Sequence, residues 1–118
     1  MIRKVKSLHS NTLVYELEEF ISQYEIAIID KDIETILQEF NKVNLMLYIN
    51  VAGENLGSFI KEFQVGIKYW NKINKIAYIG DHKKWATLVF IDNFFTKFKE
   101  RYFEVDDIAN AWDWINND

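Results

Sequence analysis

The stretch from Lys75 to Trp85, KIAYIGDHKKW, constrains the fold more than any other part of the chain. A short apolar run, Ile76-Ala77-Tyr78-Ile79, stops at Gly80-Asp81, and a helical pattern begins at once. Strand, tight turn and helix start together make the strand-to-helix half of a βαβ unit. In open α/β sheets, ligands sit beyond the carboxyl ends of the strands, so this turn is also the first place to look for function. No complete catalytic motif accompanies it.

The rest of the chain repeats the alternation. Ile2 to Leu8 alternates with charges, as an edge strand does. Ser10-Asn11 is a turn, and Thr12 to Leu17 puts Leu13, Tyr15 and Leu17 on one face, so the first two strands read as a hairpin. Ser22 with Glu25 three residues later is a capping box, and Ile21 and Ile26 are spaced as a hydrophobic staple. Ile26, Ile29, Ile33, Ile36, Leu37 and Phe40 then recur at helical spacing, with an end expected near Asn41 to Val43. Asn44 to Val51 is almost continuously apolar, which fits a central strand buried on both faces. A second helix is expected from about Leu56 to Asn71, weakened locally by Gly57 and Gly66, one of which could let backbone or ring pack closely. Asp81 is placed to cap a third helix through Trp85 and Phe95. Lys97 to Val105 mixes charge with aromatics like a second edge, and Asp106 is placed to cap a last helix with Ile108, Ala111, Trp112 and Ile115 on one face. The order is β-β-α-β-α-β-α-β-α, an α/β domain over residues 1–118 whose strand–helix–strand units require parallel strands.

Composition narrows the function classes. Nearly half of the residues are hydrophobic, enough for a core without staples, and the absence of cysteine excludes disulfides and thiolate zinc sites. Between Asn11 and Asn55 nine acids face two lysines; from Leu56 onward nine acids face nine bases. Neither half carries the basic footprint of a nucleic-acid or anionic-membrane binder. The basic start Met1 to Lys6 leads into Leu8-His9-Ser10-Asn11 rather than an apolar signal segment, and no apolar run approaches the ~18–20 residues of a membrane span. A soluble, cytoplasmic protein is expected.

Three segments carry a resemblance: KIAYIGDHKKW at 75–85, RYFEVDDIANAWDWI at 101–115, and the Ser22–Glu25 helix start after a short hairpin. Together the chain resembles the SpoIIAA-like group, the STAS-like bacterial proteins related in fold to anti-sigma-factor antagonists and to CRAL-TRIO lipid-binding proteins. The resemblance implies a five-stranded mixed sheet in sequential order, strand 1 antiparallel, with four helices mainly on one face. It also implies a regulatory or protein-interaction domain, and homodimers that cover an incompletely shielded sheet. In the antagonists, a serine in an Asp-Ser-Ser-Gly-like turn after the third strand is phosphorylated. Here the loop reads NVAGENLGSF, with Ser58 its only hydroxyl and no Asp-Ser pair before it. Ser58 therefore reads first as a helix-start residue.

The candidate site residues divide into two groups. Asn50, Asn55, Ser58, Asp81, His82 and Asp106 would gather at the carboxyl ends of neighbouring strands, a rim for a partner or ligand. His82 beside Asp81 could serve acid–base chemistry, but no nucleophile accompanies it, and an exposed histidine in a helix's first turn is the plainer reading. Asp81 and Asp106 read as helix caps before they read as cation ligands. No metal or cofactor is expected, and no enzyme. The second group, Trp70, Trp85, Phe95 and Trp112, could line an apolar pocket for a lipid-like ligand, as the CRAL-TRIO relation suggests; filling the core is the plainer role.

Overall fold

A computed structural model describes residues 2–18, 21–50, 61–63, 65–81 and 99–117, with only the backbone of Asn50. Five strands form one sheet: β1 (Ile2–Val5), β2 (Thr12–Glu18), β3 (Val43–Asn50), β4 (Ile73–Gly80) and β5 (Lys99–Glu104). They lie side by side in sequence order. β1 runs antiparallel to β2, and β2 through β5 are mutually parallel. The mixed sheet and its antiparallel first strand are those expected from the alternation of elements.

Burial follows the two faces of the pleat. On one face Leu13, Tyr15, Leu17, Leu45, Leu47, Ile49, Ile76 and Tyr78 form the larger core. On the other, Val14, Met46, Ala77, Ile79 and Phe103 form a second. β2 and β3 are buried on both faces, which makes them interior strands.

Helix α1 (Gln23–Ile36) covers the larger core with Ile26, Ile29 and Ile33, each fully buried. Its start is the capping box: the Glu25 amide donates to Ser22 Oγ at 3.2 Å, and the Ser22 amide donates to Glu25 Oε1 at 3.2 Å. Ile21 and Ile26 are buried in the same cluster, as a staple requires. The helix ends several residues before the expected Asn41 to Val43. The amides of Gln38 and Glu39 instead donate to Thr35 and Ile36 carbonyls, tightening the chain into a turn that lets it enter β3.

Helical backbone at 61–63 and 65–66, here α2, lies against the same face, with Phe63 and Ile67 in the core. It stops before the expected Asn71. Residues 68–69 turn, and Trp70–Lys72 form one turn of 3₁₀ helix leading into β4. The Asp30 carboxylate, buried on α1, accepts the amides of Lys68 at 2.9 Å and Tyr69 at 3.4 Å and so fixes this exit.

Helix α3 (Ile108–Asn116) packs Ala111 and Ile115 on the opposite face of the sheet. The described residues therefore carry three helices rather than four, two on one face and one on the other. The helix expected from Asp81 through Trp85 and Phe95 falls on 82–98, outside the described residues. Asp106 does not cap α3: it lies within a 3₁₀ turn, Val105–Asp107, and the N-cap position belongs to Asp107. The Asp107 side chain makes no capping bond and accepts from Asn110 Nδ2 at 2.6 Å.

The other end of α3 is held by a buried lysine. Lys75 Nζ donates to the carbonyl oxygens of Trp114, at 2.6 Å, and Asn117, and lies 5.2 Å from the Trp114 ring centre. A cation at a helix C-terminus meets the negative end of the helix dipole and the carbonyls that lack intrahelical partners.

Candidate functional site

The register of the parallel strands places one side chain from each in a row across the α3 face. Glu16 pairs with Tyr48, Tyr48 with Ile79, and Ile79 with Phe103; Arg3 of β1 stands opposite Glu16. Beyond this row the chain leaves the sheet at Gly80-Asp81 and at Val105. A cavity of about 250 Å³ opens here, lined among the described residues by Glu16, Tyr48, Ile49, Ile79, Gly80, Asp81 and Val105.

Its chemistry is mixed. Ile49, Ile79, Val105 and the Tyr48 ring offer apolar surface; Glu16 and Asp81 bring carboxylates. The Arg3 guanidinium donates to Glu16 Oε2 at 2.5 Å, so one carboxylate already has a cation at its edge. Burial raises the pKa of the half-buried Tyr48, and the Glu16 charge adds to the effect. The phenol is therefore a neutral group at physiological pH, able to donate or accept a hydrogen bond at the cavity wall.

Of the rim residues expected from sequence, Asp81 lines the cavity, exposed at the end of β4. The Asn50 backbone ends β3, paired with Glu18. Asp106 is exposed in the turn that follows Val105. Asn55, Ser58 and His82 lie outside the described residues. Of the aromatic set, Trp70 packs on the larger core, edge-on to Phe63 at 6.0 Å between ring centres. Trp112 packs on the second core, edge-on to His9 at 5.5 Å. The two stand on opposite faces of the sheet. Trp85 and Phe95 lie outside the described residues.

Glu16, Tyr48, Ile49, Ile79 and Val105 were not among the sequence candidates. Alternation along β2 puts Glu16 on the face away from Tyr15, but only the strand register brings it beside Tyr48. The uniformly apolar run of β3 hides which of its residues points to which face.

The SpoIIAA-like family model matches residues 12–116. Among solved structures, an uncharacterized protein of the DUF3478 family with a SpoIIAA-like fold, from Shewanella loihica PV-4, superposes with a TM-score of 0.67. The match covers 98% of this chain and 92% of that one at 16% identity, a likeness of fold alone. No curated protein matches the chain. With the sheet order, the antiparallel first strand and a family match reaching from β2 to the end of α3, the chain belongs to the SpoIIAA-like family.

Proposed function

We propose that the chain is a non-enzymatic, STAS-like regulatory or interaction domain that reads a protein partner at the carboxyl-end rim of its sheet, as a cytoplasmic homodimer. The observation that carries this reading is the rim cavity, which joins apolar surface, two carboxylates and a neutral phenol where parallel sheets place their ligands. No helix among the described residues is long and apolar enough to cross a membrane.

Comparative affinity capture from the native cell tests the reading. Asp81→Lys and Val105→Asp alter the exposed cavity mouth; Tyr24→Ala alters a residue 77% exposed on α1. A partner retained by wild type and by Tyr24→Ala but lost by both rim variants is expected. A partner retained by the rim variants contradicts the proposal.

A small apolar ligand is the second reading, favoured by the apolar walls of the same cavity. Its volume lies below the roughly 300–1,000 Å³ of ordinary ligand pockets, which favours the protein partner. Native mass spectrometry of purified protein separates the two: a stoichiometric co-purified small molecule would replace the first reading with the second.

A further inference from the structure

Acids gather where the strands end. β2 closes on Glu16-Leu17-Glu18, β4 runs into Asp81, and β5 closes on Glu104 ahead of Asp106 and Asp107. Arg3 offsets one of them, donating to Glu16 Oε2 at 2.5 Å from the neighbouring strand. The rim cavity of about 250 Å³ opens among these residues, and the charged side chains in its described lining are two carboxylates, Glu16 and Asp81. Arg3 holds Glu16 from outside that lining and leaves Oε1 to the cavity side of the pair. Asp81 is exposed and makes no hydrogen bond or ion pair with another described residue. The remaining described side chains of the wall are the Tyr48 ring and the aliphatic groups of Ile49, Ile79 and Val105.

A group that closes this cavity must suit both kinds of wall. A purely apolar group would cover the aliphatic side chains but strip water from two carboxylates and give them no partner. An anion would set a like charge beside them. An aliphatic cation suits both, since its methylenes lie on the apolar wall while its charged head meets the acids. Tyr48 adds a ring face for that cation and a hydroxyl that can accept a hydrogen bond. A guanidinium fits this set better than an ammonium: its planar fork donates to carboxylates on two sides and stacks on an aromatic ring. The volume, below that of ordinary small-molecule pockets, suits a single side chain.

We propose that the rim cavity receives an arginine side chain of the protein partner, its guanidinium between Glu16 and Asp81 and its stem along Ile79 and Val105. This rests on the rim reading above and names the chemistry by which that rim recognises its partner.

Three small molecules test this chemistry on the wild-type chain. Butylguanidinium carries the head and stem of arginine, butylurea has the same shape without the charge, and pentanoate carries the opposite charge. Titrations followed by amide NMR are expected to show saturable shifts at residues 16, 48–49, 79–81 and 105 with butylguanidinium. Its binding is expected to be at least about tenfold tighter than that of butylurea, the effect of losing charge-assisted hydrogen bonds, and to weaken with salt. Pentanoate is expected not to bind. Glu16→Gln and Asp81→Asn keep the cavity's shape, and each is expected to weaken butylguanidinium about fivefold. Butylguanidinium that binds no tighter than butylurea, or equally well to the Glu16→Gln/Asp81→Asn chain, overturns the arginine assignment. Lys83 and Lys84 follow Asp81 in the sequence. Binding that appears only when both are replaced by alanine would assign the cavity to one of these lysines and overturn it as well, and so would a polyamine recovered stoichiometrically with the purified chain. Affinity capture separates this proposal from the rim reading beneath it. A partner lost by Asp81→Lys and Val105→Asp but kept in full by the Glu16→Gln/Asp81→Asn chain overturns the arginine contact and leaves the rim reading standing. A partner kept by all three overturns both.

Discussion

Two residues at the α1–α2 contact show how single atoms hold this fold. The Asp30 carboxylate is buried and serves backbone amides, those of Lys68 and Tyr69. Asp30→Ala would leave both amides without their acceptor, at a cost on the order of 1–3 kcal/mol. Asp30→Asn keeps one acceptor oxygen and should lose less; thermal melts of the two variants check the ranking. Gly66 sits where α2 crosses α1. A methyl group there would overlap Ile26 Cγ2 and lie 2.9 Å from Gln23 Oε1. Ile26 is fully buried and cannot swing away, so Gly66→Ala should destabilise by roughly 1–3 kcal/mol despite the better helix propensity of alanine. Equal or higher stability of that variant would mean the helices separate more easily than their packing implies.

Glu25 links residue chemistry to pH. Desolvation opposes its charge, but amide donors at Ser22 and, at 2.8 Å, Ile2 outweigh it and hold the carboxyl below its ordinary value. A depressed carboxylate contributes stability that is fully present above the unfolded pKa of about 4.3 and is lost as pH falls through the folded value. Melting temperature should therefore decline below that pH more steeply in wild type than in Glu25→Gln. Parallel curves would contradict the assignment.

At the scale of elements, strand phases were legible in the sequence and helix ends were not. Alternation at Leu13, Tyr15 and Leu17 correctly placed one face of β2, and the apolar run from Asn44 announced an interior strand. The Ser22–Glu25 box located the start of α1 because capping is a local interaction. Its end was misread because Leu37 and Phe40 continue the helical spacing while the chain has already turned toward β3. Asp106 looked like a cap because local sequence does not reveal an intervening 3₁₀ turn. Lys75 looked like an ordinary strand-start residue; its role depends on α3 returning to it 39 residues later in the chain. Lys75→Met keeps most of the stem and removes the ammonium. Hydrogen bonds from a charged donor contribute about 1.5–3 kcal/mol, and a loss of that order is expected. Amide exchange should locate the effect: faster in α3, unchanged in α1. Uniform acceleration would show that α3 does not depend on this anchor in particular.

At the scale of the whole molecule, the sheet is both core and template. Its parallel register carries Glu16, Tyr48, Ile79 and Phe103 into line and ends them at one rim. Sequence reasoning found that rim through Gly80-Asp81, since a strand–turn–helix signal marks the carboxyl end of a strand. It missed the cavity's walls, since those depend on which residues of three strands lie abreast. The aromatic set could not be sorted from sequence for a related reason: helical and strand periodicity show that Trp70 and Trp112 are packed, but not that the sheet separates them.

Hydrogen exchange of the chain with and without a captured partner tests the rim reading most directly. Added protection is expected at residues 16–18, 48–50, 79–81 and 104–107, with α1 unchanged. Protection concentrated on the outer surface of α1, with those rim segments exchanging as in the free chain, would contradict it.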